Sequence, residues 1–284
     1  MAHLLENFKL HNLWKRALSA LVLGPLVLGM ICVGGWLFQA GMVLGALLGA
    51  REWARMIAPN AVNRPLLLVG GGIFLVFSLY LLAGPLPALL AALTLAALSG
   101  LAPGVSVWSN VGGCDRWWLA LGIPYVGIGA VALMWLREYP RIGLGLIVFL
   151  FLTVWANDIG AYIFGKSIGG PRLAPTISPA KTWAGFHGGV ATAGLVGGLT
   201  ALLFGAREPL VAVGLGALLG VVGQVGDLFE SAVKRRYNVK DSGCLIPGHG
   251  GLLDRIDGLI AAAPVLALFQ TVWGAICGAE LGWW

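Results

Sequence analysis

An all-α, polytopic transmembrane bundle of about nine spans is the fold class this sequence predicts, and three observations carry it. Of 284 residues, 58% are hydrophobic and only 11% charged, against roughly 25% charged in a soluble domain. Apolar runs recur along the whole chain between short polar clusters, and a membrane helix needs about 20 such residues. Given the spans below, 15 of the 18 Lys and Arg residues fall on one side, leaving Arg137, Arg141 and Arg207 on the other. That asymmetry is the positive-inside pattern, and it puts the N-terminus and the longer polar loops in the cytoplasm.

The expected spans are roughly 17–33, 35–50, 66–83, 86–102, 117–136, 142–164, 185–204, 209–227 and 257–277. Lys15 and Arg16 precede the first, and no small-residue cleavage site closes it, so it is expected to be retained rather than removed as a signal peptide. The first two spans are joined only by Gly34 and Gly35. The 44 glycines, about twice the usual share, point to helices packed closely through small residues. The whole of 1–284 reads as one integral membrane domain, with N-terminal helices over 1–140 and the chemistry-bearing helices and loops over 141–284.

Several function classes recede at this point. The net charge of +6 comes without a basic stripe interleaved with aromatics, so no nucleic-acid partner is expected. Cys32, Cys114, Cys244 and Cys277 show no paired spacing, which leaves no zinc site or disulfide framework. No internal repeat supports a two-half transporter, and charge gathers in loops rather than along a path through the membrane.

Two stretches hold nearly all the reactive side chains: "NDIGAYIFGKSIGGPRLAPTISPAKTWAGFHGG" over 157–189 and "QVGDLFESAVKRRYNVKDSGCLIPGHGGLLDRID" over 224–257. Asp227 ends one apolar run while Asp254 and Asp257 open the next. A loop that returns to the membrane surface would gather these carboxylates. Such a group suits Mg2+, which takes one or two protein carboxylates and completes its shell with water and substrate phosphates. On a continuing helix, Asp227, Glu230, Ser231 and Lys234 share one face. A solvated helix end with an ion pair explains the same spacing.

Asp158 lies inside an apolar run, where an ionisable group is costly and usually functional; pairing with Lys166 or Arg255 is the structural alternative. In "SPAKTW", Ser178, Lys181 and Thr182 suit phosphate oxygens. A helix N-cap at Ser178 with Pro179 at the first helical position fits the same residues and is compatible with phosphate at that terminus. In "PGHGG", Gly250 and Gly251 let backbone N–H groups approach an anion. His249 is expected to contact or position substrate, because a phosphate monoester with a second pKa of about 6 needs no strong base at pH 7.

The run from Ser231 to Asp257, "SAVKRRYNVKDSGCLIPGHGGLLDRID", resembles the signature of the phosphatidate cytidylyltransferase (CDP-diacylglycerol synthase) family. It does so through Ser231, Lys234, Arg235, Lys240, Asp241, Gly243, Pro247, His249, Gly250, Gly251, Asp254, Arg255 and Asp257. "QVGDLFES", "NDIGAYIFGK" and "SPAKTWAG" are similar to its other blocks, except that Ala184 stands where the family often has Glu. The resemblance implies cytidylyl transfer from CTP to phosphatidate by a Mg2+-dependent enzyme, with one or two metal ions, in a homodimer in the bacterial cytoplasmic membrane. It implies Asp227, Asp254 and Asp257 as metal ligands and catalytic groups beside Lys181. Substrate contacts would come from Ser178, Thr182, Lys234, Arg235, Lys240, Asp241, His249, Gly250, Gly251, Arg255 and Asp158. Anionic lipid would be drawn to Lys234, Arg235 and Arg236.

The nearest rival is a CTP-dependent polyprenol kinase, which would release CDP rather than pyrophosphate. A CDP-alcohol phosphotransferase would need further aspartates, and none follows Asp257.

Overall fold

The computed structural model describes residues 19, 21–109, 111–206, 208–246, 248 and 250–277. Every apolar run of the sequence forms a helix: α1 Leu21–Val33, then α2 Gly35–Ile57, α3 Asn63–Ala83, α4 Pro85–Leu101, α6 Asp115–Glu138, α7 Gly143–Ser167, α8 Trp183–Leu203, α9 Pro209–Arg236 and α10 Leu253–Cys277. A short α5, Pro103–Ser109, bends 83° away from α4. Among the described residues, six helices are long and apolar enough to cross a membrane, or seven if α4 and α5 count as one span. The expectation of nine spans is therefore met only in its coarser form, a polytopic helical bundle. α1 is a shorter apolar helix, and α2 carries Arg51, Glu52 and Arg55 in its last turns.

The described chain departs from all-α at one place, the antiparallel hairpin of β1 Arg172–Ala174 and β2 Ser178–Thr182, with Arg172 opposite Thr182 and Ala174 opposite Ser178. This overturns the expected N-cap at Ser178. The cap is Thr182, whose side chain accepts a hydrogen bond from Gly185 N at 3.1 Å. The residues from Ser178 to Thr182 pair as a strand instead of starting the helix, so Pro179 sits in the short hairpin.

Trp53, Ile73, Leu119, Ile123, Phe149 and Leu219 are fully buried at the centre of the bundle. Leu82, Leu203 and Leu210 remain more than four-fifths exposed. In water that exposure would be unfavourable by roughly 25 cal/mol per Å2 of apolar surface, and in a bilayer it is the normal outer surface.

Helices α7, α8 and α9 pack backbone to backbone. A Cβ at Gly216 would lie 2.6 Å from the Ala193 carbonyl oxygen, and one at Gly197 would lie 2.9 Å from that of Ala212. Without a hydrophobic drive between helices in lipid, such close approach supplies the dispersion contacts that hold them together.

At the end of the bundle away from Asp227, Arg137 donates to the carbonyls of Ile31 and Cys32 at 2.7 and 3.0 Å, satisfying the open C-terminal carbonyls of α1.

Gly216→Leu should therefore lower the thermal unfolding midpoint in detergent, with a destabilisation of about 1–3 kcal/mol from overpacking. Gly214→Leu, where nothing lies within 4 Å of an added Cβ, should leave the midpoint close to wild type.

Candidate active site

Helix α9 runs on past residue 227 to Arg236, which places Asp227, Glu230, Ser231 and Lys234 on one face as the spacing predicts. Ser231 Oγ donates to Asp227 Oδ1 at 3.2 Å. Lys234 Nζ lies 3.2 Å from Glu230 Oε1 and 2.6 Å from Asp254 Oδ1. Glu230 is wholly buried and Lys234 nearly so, and Glu230 Oε2 also accepts the Tyr125 hydroxyl at 3.2 Å. Buried charges persist only when paired and hydrogen-bonded, so Lys234 is held between two carboxylates. That corrects the expectation that it draws anionic lipid at the surface: its ammonium is committed inside. Arg235 and Arg236 stay exposed.

The loop from Lys240 to Leu252 is fixed by two carboxylates from different helices. Asp254 Oδ2 accepts the backbone N–H groups of Ser242 and Gly251, each at 2.9 Å. Glu52, on α2, accepts Leu252 N and Leu253 N, each at 2.9 Å, and Ser242 Oγ at 3.0 Å. The first N–H groups of a helix have no partner within it. Glu52 thus satisfies the start of α10 from the other half of the chain. Glycine is required where these groups converge: a Cβ at Gly251 would lie 2.7 Å from Glu52 Oε2, and one at Gly243 would lie 2.6 Å from Glu52 Oε1. A ring cluster beneath, Trp53, Tyr125 and Phe229 with centroids 5.1–6.3 Å apart, packs α2, α6 and α9 and sets the depth of both Glu52 and Glu230.

The hairpin supplies the opposing wall. Lys181, on β2, brings Nζ to 2.7 Å from Asp227 Oδ2. The ammonium is buried yet lacks hydrogen-bond alignment with any partner among the described residues, so its contact to Asp227 is that of a point charge. Arg235 ties the hairpin turn to the end of α9 by donating to the Ile177 and Val239 carbonyls at 3.3 and 3.4 Å. Asp158, exposed on α7, accepts Asn157 Nδ2 at 3.3 Å and lies within electrostatic range of Asp227 and Lys181. Lys166 turns instead to the Tyr162 hydroxyl at 3.4 Å. Beyond α9, Tyr237 donates to Asp115 Oδ1 at 2.7 Å. Burial, with the Asp115 carboxylate beside it, pushes that phenol well above its ordinary value, which keeps it a donor.

The structure therefore gathers Asp158, Lys181, Asp227, Glu230, Lys234, Asp254 and Asp257 at one end of the bundle. Ser178 is half-buried on β2, and Thr182 is buried and engaged as the cap of α8. Lys240, Asp241 and Arg255 are exposed; Gly250 closes a tight turn against Ile246 with φ of 89°. His249 lies outside the described residues.

Glu52 is the residue that sequence reasoning missed. A carboxylate at the end of an apolar run, in "GAREWARM", was the available signal, masked by the two arginines that flank it.

Among the described residues, no three His, Cys, Asp or Glu side chains converge as a metal cage. Asp254 has both oxygens engaged. Asp227 is less committed: its side chain is 41% exposed, its one ion-pair partner is a lysine, and Asp257 is within electrostatic range. A lysine ammonium against Asp227 marks a place where a cation is favoured, and two carboxylates suffice for Mg2+ when substrate phosphates complete the shell. The donor set fits.

A bundle of long apolar helices, with lysine–carboxylate pairs from β2, α9 and α10 gathered at one end, defines a polytopic membrane protein with a charged cluster at one face. The cytidylyltransferase family model matches residues 14–273, and the chain belongs to that family. It is 40% identical over 263 residues to the phosphatidate cytidylyltransferase of Brucella suis biovar 1 (strain 1330), an alignment covering 92% of this chain and 94% of that protein. The phosphatidate cytidylyltransferase of Staphylococcus aureus (strain COL) is 35% identical over 255 residues, 88% of this chain and 96% of its relative.

Removing the Glu52 carboxylate would strand two backbone donors and a hydroxyl, each unsatisfied buried group costing about 1–3 kcal/mol. Glu52→Ala should lower the unfolding midpoint strongly, and Glu52→Gln, which keeps one acceptor oxygen, should fall between it and wild type. Calorimetry or intrinsic fluorescence of the purified variants checks the order.

Proposed function

We propose that this chain is a phosphatidate cytidylyltransferase, transferring the cytidylyl group of CTP to phosphatidate to give CDP-diacylglycerol and pyrophosphate. The observation that carries the reading is the pair of lysine–carboxylate contacts, Lys181 with Asp227 and Lys234 with Asp254, which bring together three separate stretches that resemble the family's blocks.

In this reading a phosphate oxygen of phosphatidate attacks the α-phosphorus of CTP in line. A new P–O bond forms there, the bond to the β-phosphate oxygen breaks, and pyrophosphate leaves with the bonding pair. The attacking monoester is mostly dianionic at pH 7, with a second pKa of about 6, so no protein base has to take a proton. Lys181 would leave Asp227 for a phosphate oxygen and offset charge there, with Ser178 on the same strand, β2. Asp254, itself held by Lys234, accepts the Ser242 and Gly251 N–H groups and so fixes the shape of the loop that faces the nucleotide before substrate arrives. A wall preorganised in this way needs no rearrangement as charge develops.

Asp227 and Asp257 would hold Mg2+, and Asp254 would join them only by giving up its contact with Lys234. When bound, the ion would neutralise charge on the phosphate oxygens and orient the leaving group. Phosphatidate stays in the bilayer while CTP arrives from the cytosol. This suits nine spans in the bacterial cytoplasmic membrane, a cytoplasmic N-terminus and site, and a homodimer.

The test is turnover in detergent–lipid micelles with CTP labelled at its α-phosphate. Label should enter the lipid with Mg2+, fail to do so with EDTA, and fall by about a hundredfold or more in Asp227→Asn. Lipid labelled from γ-phosphate instead would identify a kinase and refute the transfer.

A further inference from the structure

The last turns of α2 carry a second feature that the reaction chemistry does not use. Leu44, Leu48, Arg51 and Arg55 follow at intervals of four, three and four residues, so they form one stripe along the helix. Leu44 is 61% exposed, and Arg51 and Arg55 are both exposed. The stripe is apolar toward the bundle's middle and basic toward the end that holds Asp227 and Asp254.

Against the basic end lies a cavity of about 220 Å3, walled by Leu48, Arg51 and Arg55 on one side and by Cys244 and Leu245 of the glycine-rich loop on the other. Glu52 lines it as well, but both of its oxygens are bonded to Ser242, Leu252 and Leu253. Arg137, Arg172 and Arg235 bond to carbonyl oxygens and Arg236 pairs with Asp115. Arg51 and Arg55, by contrast, have no hydrogen bond or ion pair among the described residues. Two guanidinium groups without partners, one turn apart at the mouth of a small cavity, present donors suited to a phosphate with two ionised oxygens.

We propose that this groove docks the acceptor lipid, with its phosphate monoester between Arg51 and Arg55 and an acyl chain along Leu48 and Leu44. The inference rests on the proposed function and gives that site its lipid-binding wall. A dianionic monoester matches two guanidinium charges better than the single charge of a phosphodiester lipid, and the apolar stripe separates a lipid from a soluble phosphate. Glu52 places this wall next to the reaction, because the carboxylate that follows Arg51 in sequence also fixes the loop hydrogen-bonded to Asp254.

Two measurements on the full chain in nanodiscs test it. In the wild type, phosphatidate diluted in phosphatidylcholine should slow alkylation of Cys244, an exposed free thiol, as followed by peptide mass spectrometry. Phosphatidylglycerol at the same mole fraction and soluble glycerol 3-phosphate should not. The Arg51→Gln/Arg55→Gln variant should lose that protection and raise the KM for phosphatidate about tenfold or more, the size of a charge-assisted contact, with the KM for CTP unchanged. Equal protection by phosphatidylglycerol or by glycerol 3-phosphate would overturn the proposal, as would an unchanged KM for phosphatidate or a rise confined to CTP. If the wild type transfers no cytidylyl group, the proposed function falls, while the Cys244 protection still decides whether this groove selects a monoester lipid.

Discussion

Four backbone N–H groups, three from one glycine-rich loop and one from the first residue of α10, are held by two carboxylates that come from opposite halves of the chain. Asp254 takes Ser242 and Gly251, and Glu52 takes Leu252 and Leu253. The rest of the site depends on this constraint. A loop of that length and glycine content would otherwise sample many conformations, at a cost of roughly 1–2 kcal/mol per residue ordered. Fixed in this way, it turns the N-terminus of α10 toward the same end as Asp227 and leaves Cys244 and Leu245 on its outer edge.

Charge balance follows from the same arrangement. Glu52, Glu230 and Asp254 bring three carboxylates into a region that is nearly closed to water, and Lys234 is the cation set between two of them. Glu52 is balanced by N–H dipoles at the start of α10 instead of by a cation, in keeping with the partial positive charge of a helix N-terminus. Asp227, with Lys181 at its side, is more exposed than any of these three. A division of labour results, in which Asp254 and Glu52 shape the loop while Asp227 stays partly exposed beside Lys181.

Much of this was legible in the sequence. Hydropathy located every helix but the short α5, because bilayer thickness sets a length that composition reports directly. The i, i+3, i+4, i+7 spacing of Asp227, Glu230, Ser231 and Lys234 placed them on one face, and Ser231 with Asp227 and Lys234 with Glu230 now form the pairs that spacing implied. Two things were not legible. The hairpin over Arg172–Thr182 hides behind Ser178–Pro179, which reads equally well as a helix start, because strand pairing depends on a partner outside the local pattern. Glu52 was hidden because its partners lie about 190–200 residues away; only its place beside an apolar run marked it. Lys234 shows the same limit in reverse, since a basic cluster on a helix end looks like a lipid-facing surface until tertiary contacts turn one member inward.

The measurement closest to this constraint is hydrogen–deuterium exchange of the wild-type protein, resolved over residues 240–253. Slow exchange at Ser242, Gly251, Leu252 and Leu253, beside fast exchange at Asp241 and Cys244, is the expected result. Uniformly fast exchange across the segment would contradict a loop held by Glu52 and Asp254.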